Sequence, residues 1–119
     1  MKERDDPTTT SGPQESLDAT LLEEVIRRVV EVADPDRIIL FGSAARGELG
    51  PDSDIDLLVI KSGVRHRRQL AQAIYVGLMG VAAPVDVLVV TPEDVEMHRH
   101  KVGTIIGPAL QEGREVYAA

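Results

Sequence analysis

Ser53-Asp54-Ile55-Asp56-Leu57-Leu58-Val59-Ile60 and, further along, Pro84-Val85-Asp86-Val87-Leu88-Val89-Val90 decide how this chain folds. Both are short apolar runs rich in β-branched residues, and turn residues flank the first of them, as expected of buried strands. Both also open on aspartate. In a strand, residues i and i+2 share a face and sit roughly 6.6 Å apart along it. Asp54 and Asp56 therefore project together, and their face continues into Leu58 and Ile60. Asp86 repeats the pattern, with Leu88 and Val90 behind it.

Between the two runs, residues 65–81 carry Leu70, Ile74, Leu78 and Val81 at helical spacing. A helix of that length is what a parallel crossover needs. Parallel pairing brings both strand starts, and so all three carboxylates, to one edge of the sheet. Gly77 and Gly80 weaken this helix by roughly 1 kcal/mol each relative to alanine, which points to close packing at those positions.

Upstream, Arg37-Ile38-Ile39-Leu40-Phe41 reads as a buried strand that stops at Gly42. If it runs antiparallel to the next strand, Gly42 and Ser43 reach the same edge as the aspartates. A Gly/Ser/Pro-rich loop follows to Ser53. Before it, Leu21, Leu22, Val25, Ile26, Val29 and Val30 mark residues 17–33 as an amphipathic helix ended by Pro35. Glu23–Arg27 and Glu24–Arg28 are i, i+4 pairs on its polar face. Residues 1–16 are polar, with two prolines and a glycine, and are expected to form a flexible tail, leaving 17–119 as the folded domain. Thr91-Pro92-Glu93-Asp94 is a helix start, with a capping hydroxyl, proline at the first position and acids in the first turn. It opens a short helix to about His100, and a second from Thr104 to Glu112 is closed by Gly113. The element order predicts a layered α/β or α+β domain.

Three carboxylates in one place repel one another, and each raises the pKa of the others. Magnesium relieves that repulsion, because it takes oxygen ligands and bridges to substrate phosphates. A pair of such ions roughly 3.5–4 Å apart stabilises both the attacking and the leaving oxygen of an in-line phosphoryl displacement. Asp54 and Asp56 would bridge the two. Asp86 would hold the ion that activates the attacking hydroxyl and could help to accept its proton. Gly42 and Ser43 would bring free N–H groups and a hydroxyl against phosphate, and Arg46 would pair with a phosphate or brace the acids.

Composition excludes other classes. The chain has 119 residues, 43% of them hydrophobic and 28% charged, which suits one globular domain with a modest core. Only 3% are aromatic, so Val, Leu, Ile and Ala must build that core. A formal net charge of −7 leaves no basic track for nucleic acid; Arg65-His66-Arg67-Arg68 reads as a solvated helix start. There is no cysteine for a disulfide or a thiol nucleophile. No stretch approaches membrane-spanning length and no leader pattern is present, so a soluble, cytoplasmic protein is expected. Asp52, Asp54 and Asp56 begin like a calcium loop, but Leu57 stands where glycine is required and Gly63 where the bidentate glutamate belongs. Gly42 to Gly47 lacks both the P-loop ending and the dinucleotide glycine pattern. His98 and His100, two apart, do not share a helix face. Tyr75 and Tyr117 are expected to be partly buried.

The run Leu40-Phe41-Gly42-Ser43-Ala44-Ala45-Arg46-Gly47, then Ser53-Asp54-Ile55-Asp56-Leu57, then Pro84-Val85-Asp86-Val87, resembles the MNT family of minimal nucleotidyltransferases, within the DNA polymerase beta superfamily. The resemblance covers roughly residues 20–117. It implies the nucleotidyltransferase fold, a small mixed β-sheet with flanking helices. It also implies Gly42 and Ser43 as the triphosphate-binding pair, Asp54 and Asp56 as ligands of two Mg²⁺ (or Mn²⁺) ions, and Asp86 as the third catalytic carboxylate. Many such proteins are encoded beside a small helical HEPN protein, an RNase toxin. The resemblance thus implies an antitoxin that transfers AMP from ATP to a tyrosine of that partner. This chain has no Arg-x(4–6)-His pair of the HEPN kind, so the toxin would be a separate protein. Larger relatives that act on antibiotics or RNA carry extra domains to hold the acceptor. Transfer to a small molecule, or antitoxicity by binding alone, are the competing expectations.

Overall fold

A computed structural model describes residues 11–42, 54–99 and 104–119, with side chains from residue 19 onward. Helix α1 (Ser11–Ala33) leads into strand β1 (Arg37–Phe41). Strand β2 (Ile55–Ile60), helix α2 (Arg67–Gly77) and strand β3 (Val85–Val90) follow. Helices α3 (Pro92–His98) and α4 (Ile106–Glu112) precede strand β4 (Arg114–Ala118).

The four strands form one mixed sheet in the order β3-β2-β1-β4. β2 and β3 are parallel and in register, Asp56 beside Asp86, with α2 as the crossover. β1 runs antiparallel to β2, Phe41 beside Asp56. Both pairings expected from the sequence therefore hold.

Strand periodicity divides the core into two layers. Ile38, Leu40, Ile55, Leu57, Val59 and Val89 face α1 and α2, where Leu22, Val25, Val29, Ile74 and Leu78 meet them. Ile39, Leu58, Ile60 and Val90 face the other way, onto Val95 of α3 and Ile106 and Ala109 of α4. The central strand β2 is covered on both sides, which is why its sequence is an almost unbroken apolar run. Among the described residues no helix is long and apolar enough to cross a membrane.

Several elements differ from the sequence reading. Helix α1 starts at Ser11 rather than 17, so part of the expected tail is helical; residues 1–10 lie outside the described residues. It ends as expected before Pro35, with Asp34 at φ 46° donating its N–H to the Val30 carbonyl at 2.9 Å. Arg28 pairs with Glu24 at 2.8 Å, but Arg27 turns toward Glu31 instead of Glu23. Helix α2 is shorter than 65–81. It stops at Gly77, and Gly80 (φ 91°) forms the turn beyond it, while Leu78 and Val81 still reach the core. Close packing holds at Gly77 alone, where a Cβ would come 2.7 Å from Val32 Cγ2; around Gly80 the space is open.

β4 was not expected at all. Arg-Glu-Val-Tyr-Ala alternates weakly and becomes a strand by antiparallel pairing with β1, across a register shift between Ile38 and Ile39. Val116 and Tyr117 pack on the α1 layer, and Arg37 Nε meets Glu115 Oε1 at 3.1 Å.

Candidate active site

The carboxylates lie where the α3/α4 layer thins. On that face burial falls from Ile60 and Val90 (2% and 3% exposed) to half-buried Leu88 and Asp56, and then to exposed Asp86 and Asp54. Phe41, Asp56 and Asp86 form one row across β1, β2 and β3, and Asp54 precedes β2 on the same face. The sequence expectation that Asp86 joins the Asp54/Asp56 pair is thus met by the parallel register.

Their electrostatics follow from that row. Partial burial holds the Asp56 carboxyl above its ordinary range, and the negative charges of Asp86 and then Asp54 push it further. Among the described residues, no side chain or backbone group hydrogen-bonds or ion-pairs with any of the three. Among the described residues the repulsion is therefore present without a compensating donor. An all-oxygen donor set of this kind suits a hard divalent cation. The side chains are not closed into a cage, however: among the described residues, no three acids or histidines are gathered tightly enough to enclose an ion.

Gly42 ends β1 with φ 75°, a conformation that glycine adopts freely. A Cβ here would collide with Asp56 Oδ2 and lie 3.3 Å from its Cγ. The sequence reading assigned this glycine to phosphate approach. The backbone it leaves bare also accommodates the Asp56 carboxylate, a reason that appears only once β1 and β2 are aligned. Ser43 and Arg46, the other expected nucleotide contacts, lie outside the described residues.

A second group sits past the far end of β3. Thr91 caps α3 by accepting the Asp94 N–H at 3.1 Å, while Asp94 Oδ2 accepts the Thr91 N–H at 3.0 Å. Burial raises the Asp94 pKa, but these bonds and the Arg67 guanidinium at 2.6 Å outweigh it, and the carboxyl is held below its ordinary range. The basic run is the exposed helix start expected from the sequence, with Arg67 ion-paired to Asp94. His98 is half-buried and its Nδ1 has no hydrogen-bond partner among the described residues. Arg67, Asp94 and His98 line a cavity of about 480 Å³ along β3, together with Arg68, Leu88, Val90 and Ile105.

Comparison with known proteins places the fold. A family profile described as "Nucleotidyltransferase domain" matches residues 20–102. A search of curated proteins returns no match. Among solved structures, a candidate nucleotidyltransferase from Sulfolobus solfataricus superposes with a TM-score of 0.55 at 20% identity, over 76% of this chain and 82% of that one. A toxin–antitoxin solved with AMP-PNP superposes with a TM-score of 0.53 at 22% identity, over 82% of this chain and 73% of that one.

Proposed function

The chain belongs to the nucleotidyltransferase-domain family, and from that premise we propose a metal-dependent transferase of the MNT type. It moves AMP from ATP to a tyrosine of a partner HEPN toxin and so acts as an antitoxin. The observation that carries this reading is the row of Asp54, Asp56 and Asp86 on one open face, uncompensated by any described donor and abutting Gly42. The likeness to a toxin–antitoxin solved with AMP-PNP supports the choice of substrate and partner class.

Two Mg²⁺ ions (or Mn²⁺) would supply charge neutralisation at the attacking and leaving oxygens. The protein's own residues do the rest. Asp54 and Asp56 fix where the cations bind, and the bare backbone at Gly42 sets the depth at which Asp56 sits. Ser43 and Arg46 are the remaining candidates for the triphosphate. Asp86, at the outer strand, faces the side from which an acceptor approaches, and accepts the proton of its hydroxyl. The acceptor oxygen forms a bond to the α-phosphorus, the bond from that phosphorus to the α–β bridging oxygen breaks, and pyrophosphate leaves with the electron pair.

Incubation with α-labelled ATP, Mg²⁺ and the product of the neighbouring gene tests this. Label should appear on the partner and disappear in the Asp54→Asn, Asp56→Asn double variant. An unlabelled partner, with ATP binding intact, refutes the proposal. Label on a small molecule instead would identify the competing substrate class, and full antitoxicity of the double variant would identify neutralisation by binding alone.

A further inference from the structure

We propose that the cavity along β3 is the acceptor dock, and that its occupant is an extended acidic segment of the partner protein, added to the sheet as a fifth strand. This rests on the transfer reading above. β3 is an edge strand. The carbonyls of Pro84 and Val90 accept N–H groups from Ile55 and Lys61, so the even-numbered residues of β3 bond to β2 and Val85, Val87 and Val89 turn their backbone outward. The Val87 N–H confirms it by donating to the Tyr75 hydroxyl at 2.8 Å. Among the described residues nothing pairs with the Val87 carbonyl or with either backbone group of Val89. Those three groups are what an incoming antiparallel strand requires: two bonds exchanged with Val89 and one N–H given to the Val87 carbonyl, with Tyr75 left in place.

The surroundings select the occupant. The cavity is walled by Leu88, Val90 and Ile105 on the Asp86 side of the sheet and by Arg67 and Arg68 from α2 on the other. Arg67 is neutralised by Asp94, but Arg68 is exposed and has no ion-pair partner among the described residues, on a chain of net charge −7. An alternating apolar and acidic segment matches both walls. His98 Nδ1, buried and without a partner among the described residues, offers one more polar contact inside the cavity. The groove begins one residue past Asp86, so a strand seated in it passes a side chain directly to the proton acceptor.

The probe is a synthetic eight-residue peptide of alternating glutamate and valine with one central tyrosine, followed by amide NMR of the full chain. Binding should shift Val87, Val89 and Arg68, weaken at least tenfold in Arg68→Glu, and vanish when one set of alternate peptide amides is N-methylated while the other set is tolerated. Equal binding of both methylated peptides, shifts confined to α1 and β4, or preference for a short oligouridine would each overturn the dock. Binding persists in the Asp54→Asn, Asp56→Asn variant. Peptide binding with no label passing from α-labelled ATP to the partner protein would leave the dock standing and remove the transferase reading. Undiminished labelling of the partner protein by Arg68→Glu would do the reverse.

Discussion

Asp56 is where function and stability oppose each other. Its folded-state pKa lies above the ordinary 3.8, through burial first and then Asp86 and Asp54. A raised carboxyl pKa means that the folded state binds more protons than the unfolded chain. Stability therefore falls as pH rises from 3.8 through the folded value, and the penalty is fully present above it. Asp56→Asn removes that charge. Without divalent cations its melting temperature should exceed wild type by a few degrees at neutral pH and lose the advantage in acid. The same variant should lose at least about a thousandfold in nucleotidyl transfer, since cation-assisted charge stabilisation is worth several kcal/mol at about 1.4 kcal/mol per decade. A variant that is both destabilised and active would contradict both halves. Gly42→Ala tests the neighbouring contact. The φ of 75° alone costs an alanine about 1–2 kcal/mol, and its Cβ must displace the Asp56 carboxylate. Urea denaturation should show that loss, and transfer should fall with it.

At the scale of elements, the parts that local rules govern were readable. The i, i+2 rule put Asp54 and Asp56 on one face, and the helix-length spacing between two apolar runs made β2 and β3 parallel. Thr91-Pro92-Glu93-Asp94 announced α3, and the cap is formed in full. What depended on distant partners was not readable. Arg114–Ala118 is half exposed, and only β1 makes it a strand. The fit of Gly42 against Asp56 needs the register between β1 and β2, and the Arg67–Asp94 pair joins helices on opposite faces of the sheet. That last link makes the α3 cap pH-dependent. Asp94 titrates below 3.8, so its contribution is complete above that value and is lost as pH falls through the lowered folded pKa. Thr91→Ala should cost about 1 kcal/mol at neutral pH. The titrating half of the cap is the Asp94 carboxylate, so an Asp94→Ala variant should show a denaturant gap that is full at neutral pH and narrows as pH falls below 3.8; a constant gap would mean that the carboxylate is not the partner.

For the molecule as a whole, the site is an electrostatic load on a small domain. A chain of 119 residues with net charge −7 keeps three acids together on one face, uncompensated among the described residues. A ligand that binds only the folded state stabilises it by mass action, by about 2.7 kcal/mol at a hundredfold excess over its dissociation constant. For a domain of this size, each kcal/mol raises the melting temperature by about 4–8 °C. Mg²⁺ with a non-hydrolysable ATP analogue should therefore raise it by roughly ten degrees or more. Mg²⁺ alone should do less, because without phosphate oxygens the carboxylates supply only part of the coordination shell. The Asp54→Asn, Asp56→Asn protein should start from a higher melting temperature and show almost no shift with either addition. That crossing of the two melting curves separates a binding site from generic charge screening. Screening by monovalent salt at matched ionic strength would relieve the same repulsion in wild type, but it would show no preference for Mg²⁺ and no dependence on nucleotide. Equal shifts with Mg²⁺–nucleotide and with matched NaCl would therefore remove the metal site from these aspartates.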